Sequence, residues 1–269
     1  VGLATLGVAG MLYPILAGRL VETTWLLLPH DMGAIRVDAA KVILEKIEGY
    51  TALLVGPGLG KENGTQEFVH SLLVGKQAEA KRARRIGFAT ETTTEETEPE
   101  SPKLPPTVID ADALNALAEI ENWSASLTAA SAVLTPHPGE MARLLGSTTE
   151  AVQADRVATA KSAAETFGQV VVLKGANTVI AAPDGQIAVS PFANPALATA
   201  GSGDVLAGAI VGFLAQGLSP FDAAACGVYI HGLAGERARL EMGDAGVIAG
   251  DLLPQLPPAI QGIRLEGEM

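Results

Sequence analysis

NPALATAGSGD, residues 194–204, leads directly into the apolar helical segment VLAGAIVGFLA, residues 205–215. This segment is too short to span a membrane and too apolar to lie on a surface, so we predict that it is buried. The backbone amides of its first turn have no partners within the helix, and the helix dipole places partial positive charge there. Because Gly201 and Gly203 have no Cβ, a phosphate group can approach this backbone closely. The turn formed by Gly201, Ser202 and Gly203 therefore predicts an anion-binding site.

Asp204 lies at the edge of this turn. A carboxylate at that position can take the proton from a hydroxyl group that attacks a bound phosphate, which makes Asp204 a candidate general base. The alternative is that Asp204 caps a core helix and the glycines form a tight turn. The motif alone favours this alternative, so the decision depends on the rest of the chain.

The composition restricts the class of protein. The chain has 269 residues, of which 48% are hydrophobic, 4% are aromatic and 30 are glycine, which is typical of a single closely packed α/β domain. The formal net charge of −12 argues against a nucleic-acid-binding surface and against attraction to anionic membranes. The single cysteine, Cys226, excludes an internal disulfide framework and a cysteine-based zinc site, and indicates a reducing, cytoplasmic location.

The apolar N-terminal segment, residues 1–18, allows two interpretations. It has no positively charged start, contains Pro14 and is diluted by glycines, which argues against a signal peptide or membrane anchor. We therefore predict a buried strand followed by a helix that begins near Pro14.

Short apolar runs alternate with helical patterns along the chain, as expected of βαβ units and a mostly parallel sheet. The predicted strands are Leu3–Val8, Thr24–Leu28, Ala52–Val55, Thr107–Ile109, Ala132–Leu134 and Gln169–Leu173. Residues 178–182 and 186–189 flank Pro183-Asp184-Gly185 and predict an antiparallel hairpin at the edge of the sheet. Ligands bind at the carboxyl ends of the strands in such sheets, so the loops there are the candidate sites.

Three further segments complete the predicted organisation. Helices are predicted over residues 203–216 and 222–240, and a proline-rich tail from Asp251. Residues 76–85 are basic, which favours a solvated helix face over a protein-binding patch. Residues 91–100 are acidic, rich in threonine and almost without apolar side chains, and we predict a disordered surface loop over residues 76–104.

Two of the strand-end loops are weak signals when taken alone. Gly56-Pro-Gly-Leu-Gly60 is neither a Walker loop nor a dinucleotide fingerprint, and taken alone it is better explained as a structural turn. Asp110, Asp112 and Asn115 follow the next predicted strand and can hold Mg²⁺ or a polar group of a substrate. Helix capping by Asp112 is the alternative.

Two other loops are more specific. In Thr135-Pro-His-Pro-Gly-Glu140, two prolines fix the backbone around His137, which favours a contact with a ligand, and Glu140 follows in the first helical turn. Lys174 ends an apolar strand, where its charge requires an anion such as phosphate or a path to solvent. Together with the glycine turn and Asp204, these loops indicate phosphoryl-transfer chemistry.

As an ordered set, these motifs resemble those of the ADP- or ATP-dependent NAD(P)H-hydrate dehydratases, which are ribokinase-like enzymes. The resemblance implies a three-layer α/β/α fold with a mostly parallel central sheet and an antiparallel edge hairpin. It implies that Asp204 is the general base and that Glu140 acts on Mg²⁺ held by phosphates. The nucleotide-binding residues would be Lys174, Gly175, Ala176, Asn177, Thr178, Gly201, Ser202 and Gly203. The residues that face the hydrated nicotinamide would be Gly58, Gly60, Asp110, Asn115, His137 and Asp204.

The activity implied is the nucleotide-dependent return of hydrated NADH or NADPH to NADH or NADPH, with ADP or ATP as phosphoryl donor. The expected partners are a second copy of the chain, in a homo-oligomer such as a tetramer, and an NAD(P)H-hydrate epimerase, fused or separate. Members of this family begin with a strand, a glycine-rich turn and a Tyr-x-Gly-Ala helix that do not precede Val1 here, so we expect an N-terminally incomplete domain. The alternatives are a ribokinase-like small-molecule kinase and a catalytically silent nucleotide-binding module.

Overall fold

The computed structural model describes residues 1–75, 103–129 and 131–267. The described residues fall into two compact units. Unit 1 comprises Val1–Gly49, Gly58–Leu104 and Ala116–Leu127, and unit 2 comprises Tyr50–Pro57, Pro105–Asn115 and Thr128–Met269. The single domain stays a prediction. The loop predicted over residues 76–104 lies outside the described residues, except for its last two positions.

The described residues of unit 1 include two small sheets, three α-helices and a 3-10 helix over Gly10–Leu12. Strand β1 (Thr5–Ala9) pairs in parallel with β2 (Thr24–Leu28), and β3 (His30–Asp31) pairs with β4 (Ala34–Ile35) in a tight hairpin. The helices are α1 (Tyr13–Ala17), α2 (Ala39–Lys46) and α3 (Asn63–Leu73). The strand and helix predicted around Pro14 are thus confirmed, although only the last two residues of β1 are buried.

A six-stranded sheet forms the centre of unit 2. Its strands are β5 (Leu53–Val55), β6 (Thr107–Ile109), β7 (Ala132–Leu134), β8 (Val170–Leu173), β9 (Val179–Ala181) and β10 (Ile187–Val189). The spatial order is β10-β9-β8-β7-β6-β5. Strands β5 to β8 are parallel, whereas β9 and β10 form an antiparallel hairpin at the edge. The mostly parallel sheet and its edge hairpin are therefore confirmed, but β1 and β2 form a sheet of their own, contrary to the prediction of one sheet.

Helices follow strands β6, β7 and β10 of this sheet. They are α4 (Ala111–Ala118), α5 (Pro138–Leu144), α6 (Thr149–Ala154), α7 (Arg156–Phe167), α8 (Ser202–Leu214), α9 (Pro220–Met242), α10 (Ala249–Leu252) and α11 (Leu256–Gly267). Short 3-10 helices span Trp123–Ser126, Pro195–Leu197 and Leu253–Gln255. The predicted helices over 203–216 and 222–240 correspond to α8 and α9.

The core of unit 2 explains why the chain is rich in small apolar residues. Valines of β6, β7 and β8 pack with residues of α8 and α9, including Leu206, Ile210 and Val228. A Cβ on Gly227 would lie 2.5 Å from Cγ1 of Ile210, so only glycine permits this close crossing of the two helices. The helix after Gly203 is buried in this core, as predicted.

The proline-rich tail from Asp251 is helical. Pro254 lies at the start of a 3-10 helix, and Pro257 and Pro258 lie in the first turn of α11. Proline is tolerated at these positions, where the missing amide would have no helical partner. Leu252 and Ala259 are buried, which anchors the segment. Across the described residues, none of the helices has the length and apolar character needed to cross a membrane.

Candidate active site

The carboxyl ends of the parallel strands in unit 2 lie at one edge of the sheet. The chain turns sharply after β5 at Gly56, where φ is +133°, and a Cβ there would lie 1.7 Å from the carbonyl oxygen of Asp110. Any side chain at this position would therefore collide with the turn that follows β6. On that turn, Ala111 has φ of +49°, a left-handed conformation that costs alanine about 1 kcal/mol or more.

Lys174 connects three of the strand-end loops. Its Nζ lies 2.7 Å from Oδ1 of Asp110 and 3.7 Å from Oε2 of Glu140. The carboxyl groups are almost fully buried, with 1% and 6% of their side-chain surfaces exposed, whereas the lysine side chain is 17% exposed. Lys174 therefore compensates two buried negative charges and keeps a path to the surface. A phosphate that binds Lys174 has to compete with these two carboxylates.

His137 is the N-cap of α5. Its Nδ1 accepts hydrogen bonds from the amides of Gly139 (3.0 Å) and Glu140 (3.3 Å), and Oε2 of Glu140 accepts one from the amide of His137 (2.8 Å). This is a capping box with histidine in the position that serine or threonine usually takes. The hydrogen bonds to Nδ1 assign the proton of the neutral ring to Nε2. The ring is half exposed, so Nε2–H is available to a ligand although Oε1 of Glu140 lies 3.5 Å away.

The first turn of α8 begins at Gly201, which has φ of +85° and provides no side-chain cap. The amides of Gly203 and Asp204 donate no hydrogen bond to any described residue. A Cβ on Gly203 would lie 3.5 Å from Nζ of Lys174, so the ammonium group lies directly beside this turn. Two unpaired amides and a lysine thus face one space, which is an arrangement suited to an anion.

Asp204 does not cap the helix. The N-cap is Gly201, and the exposed Asp204 side chain, in the third helical position, accepts no hydrogen bond from the described residues. Partial desolvation and the charge of Asp110 raise the pKa of Asp204, while Lys174 opposes the shift. A raised pKa makes the ionised carboxylate a stronger base. The capping interpretation of Asp204 is therefore wrong, and its side chain is free to act on a ligand.

A cavity of about 340 Å³ in unit 2 extends from this turn along the loop after β8. Most of the nucleotide-binding residues predicted from the sequence line it, namely Lys174, Gly175, Ala176, Thr178, Ser202 and Gly203. Asn177 and Gly201 do not. Asn177 instead donates from Nδ2 to the carbonyl of Ser190 (3.0 Å) and ties the loop to the edge hairpin.

The cavity also contains residues that sequence reasoning missed. Phe192, Asn194 and His231 line it, and Nδ2 of Asn194 and Nε2 of His231 are buried without a hydrogen-bond partner in the described part of the chain. Burial lowers the pKa of His231 to about 4, although a hydrogen bond with the Ser202 backbone opposes the shift, so the ring is neutral at physiological pH. His231 lies in the middle of a long helix, where no local pattern marked it.

The remaining predicted site residues have other surroundings. Oδ1 of Asn115 accepts a hydrogen bond from Arg143 (2.6 Å) in unit 2. Gly58 and Gly60 belong to unit 1, with φ of +70° and +87°. The positive φ at Gly60 favours glycine, whereas the atom that a Cβ there would meet is the end of the flexible Glu62 side chain. The described residues contain no group of three or more His, Cys, Asp or Glu side chains that could hold a metal ion.

The sheet, the loop lysine and the uncapped glycine turn together define a ribokinase-like protein whose strand-end loops are suited to an anion. A solved ribokinase-like superfamily protein from Enterococcus faecalis is 25% identical, with a TM-score of 0.73 over 97% of this chain and 77% of that chain. The profile of the NAD(P)H-hydrate dehydratases matches residues 20–258, and the chain belongs to this family.

Two relatives are informative. A bifunctional NAD(P)H-hydrate repair enzyme from Moorella thermoacetica is 41% identical over 268 residues, which are 99% of this chain and 45% of that protein. The chain thus spans about half the length of that relative. The ADP/ATP-dependent NAD(P)H-hydrate dehydratase of Bacillus subtilis, co-crystallised with ATP and Mg²⁺, is 28% identical. Its TM-score is 0.71 over 97% of this chain and 79% of that chain.

Proposed function

We propose that this chain restores hydrated NADH or NADPH to NADH or NADPH in a reaction that consumes ADP or ATP. The observation that carries the proposal is the position of Asp204. Its carboxylate does not cap the helix and has a raised pKa. It belongs to the helical turn whose two unpaired amides, together with Lys174, are suited to a phosphate. Membership of the NAD(P)H-hydrate dehydratase family supports the choice of substrate.

The proposed chemistry solves a leaving-group problem. Hydroxide leaves a carbon atom poorly, whereas phosphate leaves readily. Asp204 takes the proton of the hydrate hydroxyl group as its oxygen forms a bond to the terminal phosphorus of the nucleotide, and the bond from that phosphorus to the bridging oxygen breaks. The carbon–oxygen bond of the phosphate ester then breaks, the neighbouring ring carbon loses a proton, and the ring double bond is restored.

The residues around the reacting phosphate have distinct proposed tasks. The unpaired amides of Gly203 and Asp204 and the ammonium group of Lys174 stabilise the charge that develops on the phosphoryl oxygens. We assign the loop Lys174–Thr178 to the nucleotide, because four of its five residues line the cavity next to this turn.

The nicotinamide end of the substrate is assigned to the remaining candidates. His137 offers Nε2–H from a ring that the capping box holds rigidly. The buried Asp110 acts on the substrate through Lys174, since its carboxylate is already bonded to the ammonium group. Because of the family resemblance, we also propose that the substrate contacts Asn115, Gly58 and Gly60.

Magnesium fits this site only as an ion that the nucleotide brings. The described residues offer no three-ligand cluster, and one or two carboxylates with phosphates and waters are the usual protein environment of Mg²⁺. Glu140 is our proposed carboxylate. When bound, the ion would neutralise charge on the phosphates.

The test is direct. The chain is incubated with hydrated NADH, Mg²⁺ and either ADP or ATP, and the return of the absorbance of reduced nicotinamide is followed. We expect recovery that requires a nucleotide. Accumulation of a stable phosphorylated alcohol without NADH would instead support a small-molecule kinase, and nucleotide binding without any product would support a silent module.

We also propose a cytoplasmic homo-oligomer, such as a tetramer, that works with an NAD(P)H-hydrate epimerase. The word bifunctional in the name of the Moorella relative supports a second activity next to this one. Exposed apolar side chains on the edge strand β10, Ile187 and Val189, support self-association. Light scattering on the purified protein measures the number of subunits.

A further inference from the structure

The loop between β8 and β9 is held by one arginine of α7. Nη1 of Arg156 donates to the carbonyl of Ala176, and Nη2 donates to the carbonyls of Leu173 (2.9 Å) and Lys174 (3.2 Å). The carbonyl of Gly175 accepts from Oγ1 of Thr178 (2.9 Å). All four successive carbonyls of the loop therefore have side-chain donors.

The amides of the same loop divide into two groups. The amides of Lys174 and Asn177 donate to the carbonyls of Pro136 (2.9 Å) and Phe192 (2.8 Å). The amides of Gly175 and Ala176 donate to no acceptor within the described residues, and both residues line the cavity next to the α8 turn. Successive unpaired amides of this kind form a concave site for an anion.

The backbone conformation at position 175 favours glycine, and Arg156 packs closely against it. Gly175 has φ of +143°, and a Cβ there would lie 3.0 Å from Nη2 of Arg156. The guanidinium group is thus packed directly against this peptide. Arg156 forms no salt bridge with any described residue, so only carbonyl oxygens compensate its charge.

We propose that Arg156 is a positioning residue that orients the Gly175 and Ala176 amides toward the phosphates of the nucleotide. By binding the carbonyls on one side of the loop, the guanidinium group fixes the peptide planes. Its positive charge also polarises these peptides, which strengthens their amides as donors. The proposal rests on the proposed nucleotide site and adds the residue that shapes it.

The test compares two ligands that differ only in their phosphates. Binding of ADP and of adenosine is measured by ligand-observed NMR on the wild type, Arg156→Met and Arg156→Lys. We expect Arg156→Met to weaken ADP binding about tenfold or more and to leave adenosine binding within about twofold, since a charge-assisted hydrogen bond is worth about one such factor. Arg156→Lys keeps the charge but not the fork of donors, so we expect an intermediate loss of ADP affinity.

The matched control is Arg237→Met. Arg237 also makes a side-chain hydrogen bond, from Nε to Oε1 of Gln255 (3.1 Å). Within the described residues, however, its guanidinium group binds none of the carbonyls of the β8–β9 loop. We expect both affinities to be unchanged in this variant. Thermal melting identifies any variant that fails to fold, in which case Arg156→Lys carries the comparison.

Three results would overturn the inference. They are unchanged ADP affinity in a folded Arg156→Met protein, equal losses for ADP and adenosine, and failure of the wild type to bind ADP at all. The proposed function fails separately, when the wild type binds ADP but never regenerates NADH. In that case the ratio of ADP to adenosine affinity still decides the role of Arg156.

Discussion

Replacement of Asp204 by asparagine separates its chemical role from any structural one. Asparagine keeps the size of the side chain but cannot accept a proton from the substrate hydroxyl group at neutral pH. Loss of a positioned general base costs about 10²–10⁴-fold in rate. We expect kcat of Asp204→Asn to fall by this factor. The Kd for ADP should change little, because the unpaired amides of the α8 turn and Lys174 remain in place.

The structure also gives the expected effect of Asp204→Asn on stability. Asp204 makes no capping hydrogen bond, so the usual penalty for losing a cap of about 1 kcal/mol does not apply. A carboxylate in the first turn gains up to about 1 kcal/mol from the helix dipole. The raised pKa of Asp204 shows that desolvation and Asp110 offset this gain. We therefore expect Tm to stay within about 4 °C of the wild type.

The dependence on pH has a definite sign. A carboxyl group with a raised pKa in the folded state binds its proton more tightly there than in the unfolded chain. Its ionisation therefore costs stability as pH rises above the unfolded pKa of 3.8 and through the folded value. The difference in the free energy of unfolding between Asp204→Asn and the wild type should therefore shift in favour of the variant from acid to neutral pH. The rate of the wild type should fall in acid as Asp204 becomes protonated.

Asp222→Asn is the matched control for this experiment. Asp222 occupies the corresponding third position of α9, where Ser219 is the N-cap and its Oγ lies 2.6 Å from Oδ2 of Asp222. This variant should lose some stability and keep its turnover. An Asp204→Asn protein that retains most of its activity would refute the proposed mechanism.

Three further substitutions test the site. Gly203→Val should weaken ADP binding by about tenfold or more, measured by calorimetry, because its side chain would fill the space beside Nζ of Lys174; unchanged affinity in a folded protein would locate the phosphates elsewhere. Lys174→Met should destabilise the protein by about 3–5 kcal/mol in urea unfolding, since it leaves the buried carboxylates of Asp110 and Glu140 without a cation, and a loss under about 1 kcal/mol would contradict this. Gly56→Ala should cost more than about 2 kcal/mol in the same assay, because the added Cβ collides with the Asp110 carbonyl, whereas Gly146→Ala is a control with positive φ and open space.

Much of the fold could be predicted from local sequence. Strands β6, β7 and β8 are short runs of buried, mostly apolar residues. They are recognisable in the sequence because both faces of a central parallel strand are covered. The edge hairpin was indicated by Pro183-Asp184-Gly185, since turn residues act through their own backbone. The helical tail was missed because proline stops a helix in its interior but not in its first turn, and the position of that turn is set by the packing of Leu252 and Ala259.

The sequence by itself determined which groups could bind a phosphate, because glycine turns, lysines and carboxylates act through properties that each residue carries with it. Only the tertiary structure decided how those groups are engaged. It shows that His137 caps α5, that Lys174 is bonded to Asp110 and that Asp204 is uncapped. It also brought His231 and Arg156 to the cavity loops from distant helices. Such contacts depend on how strands and helices pack, and residues far apart along the chain leave no local pattern that records them.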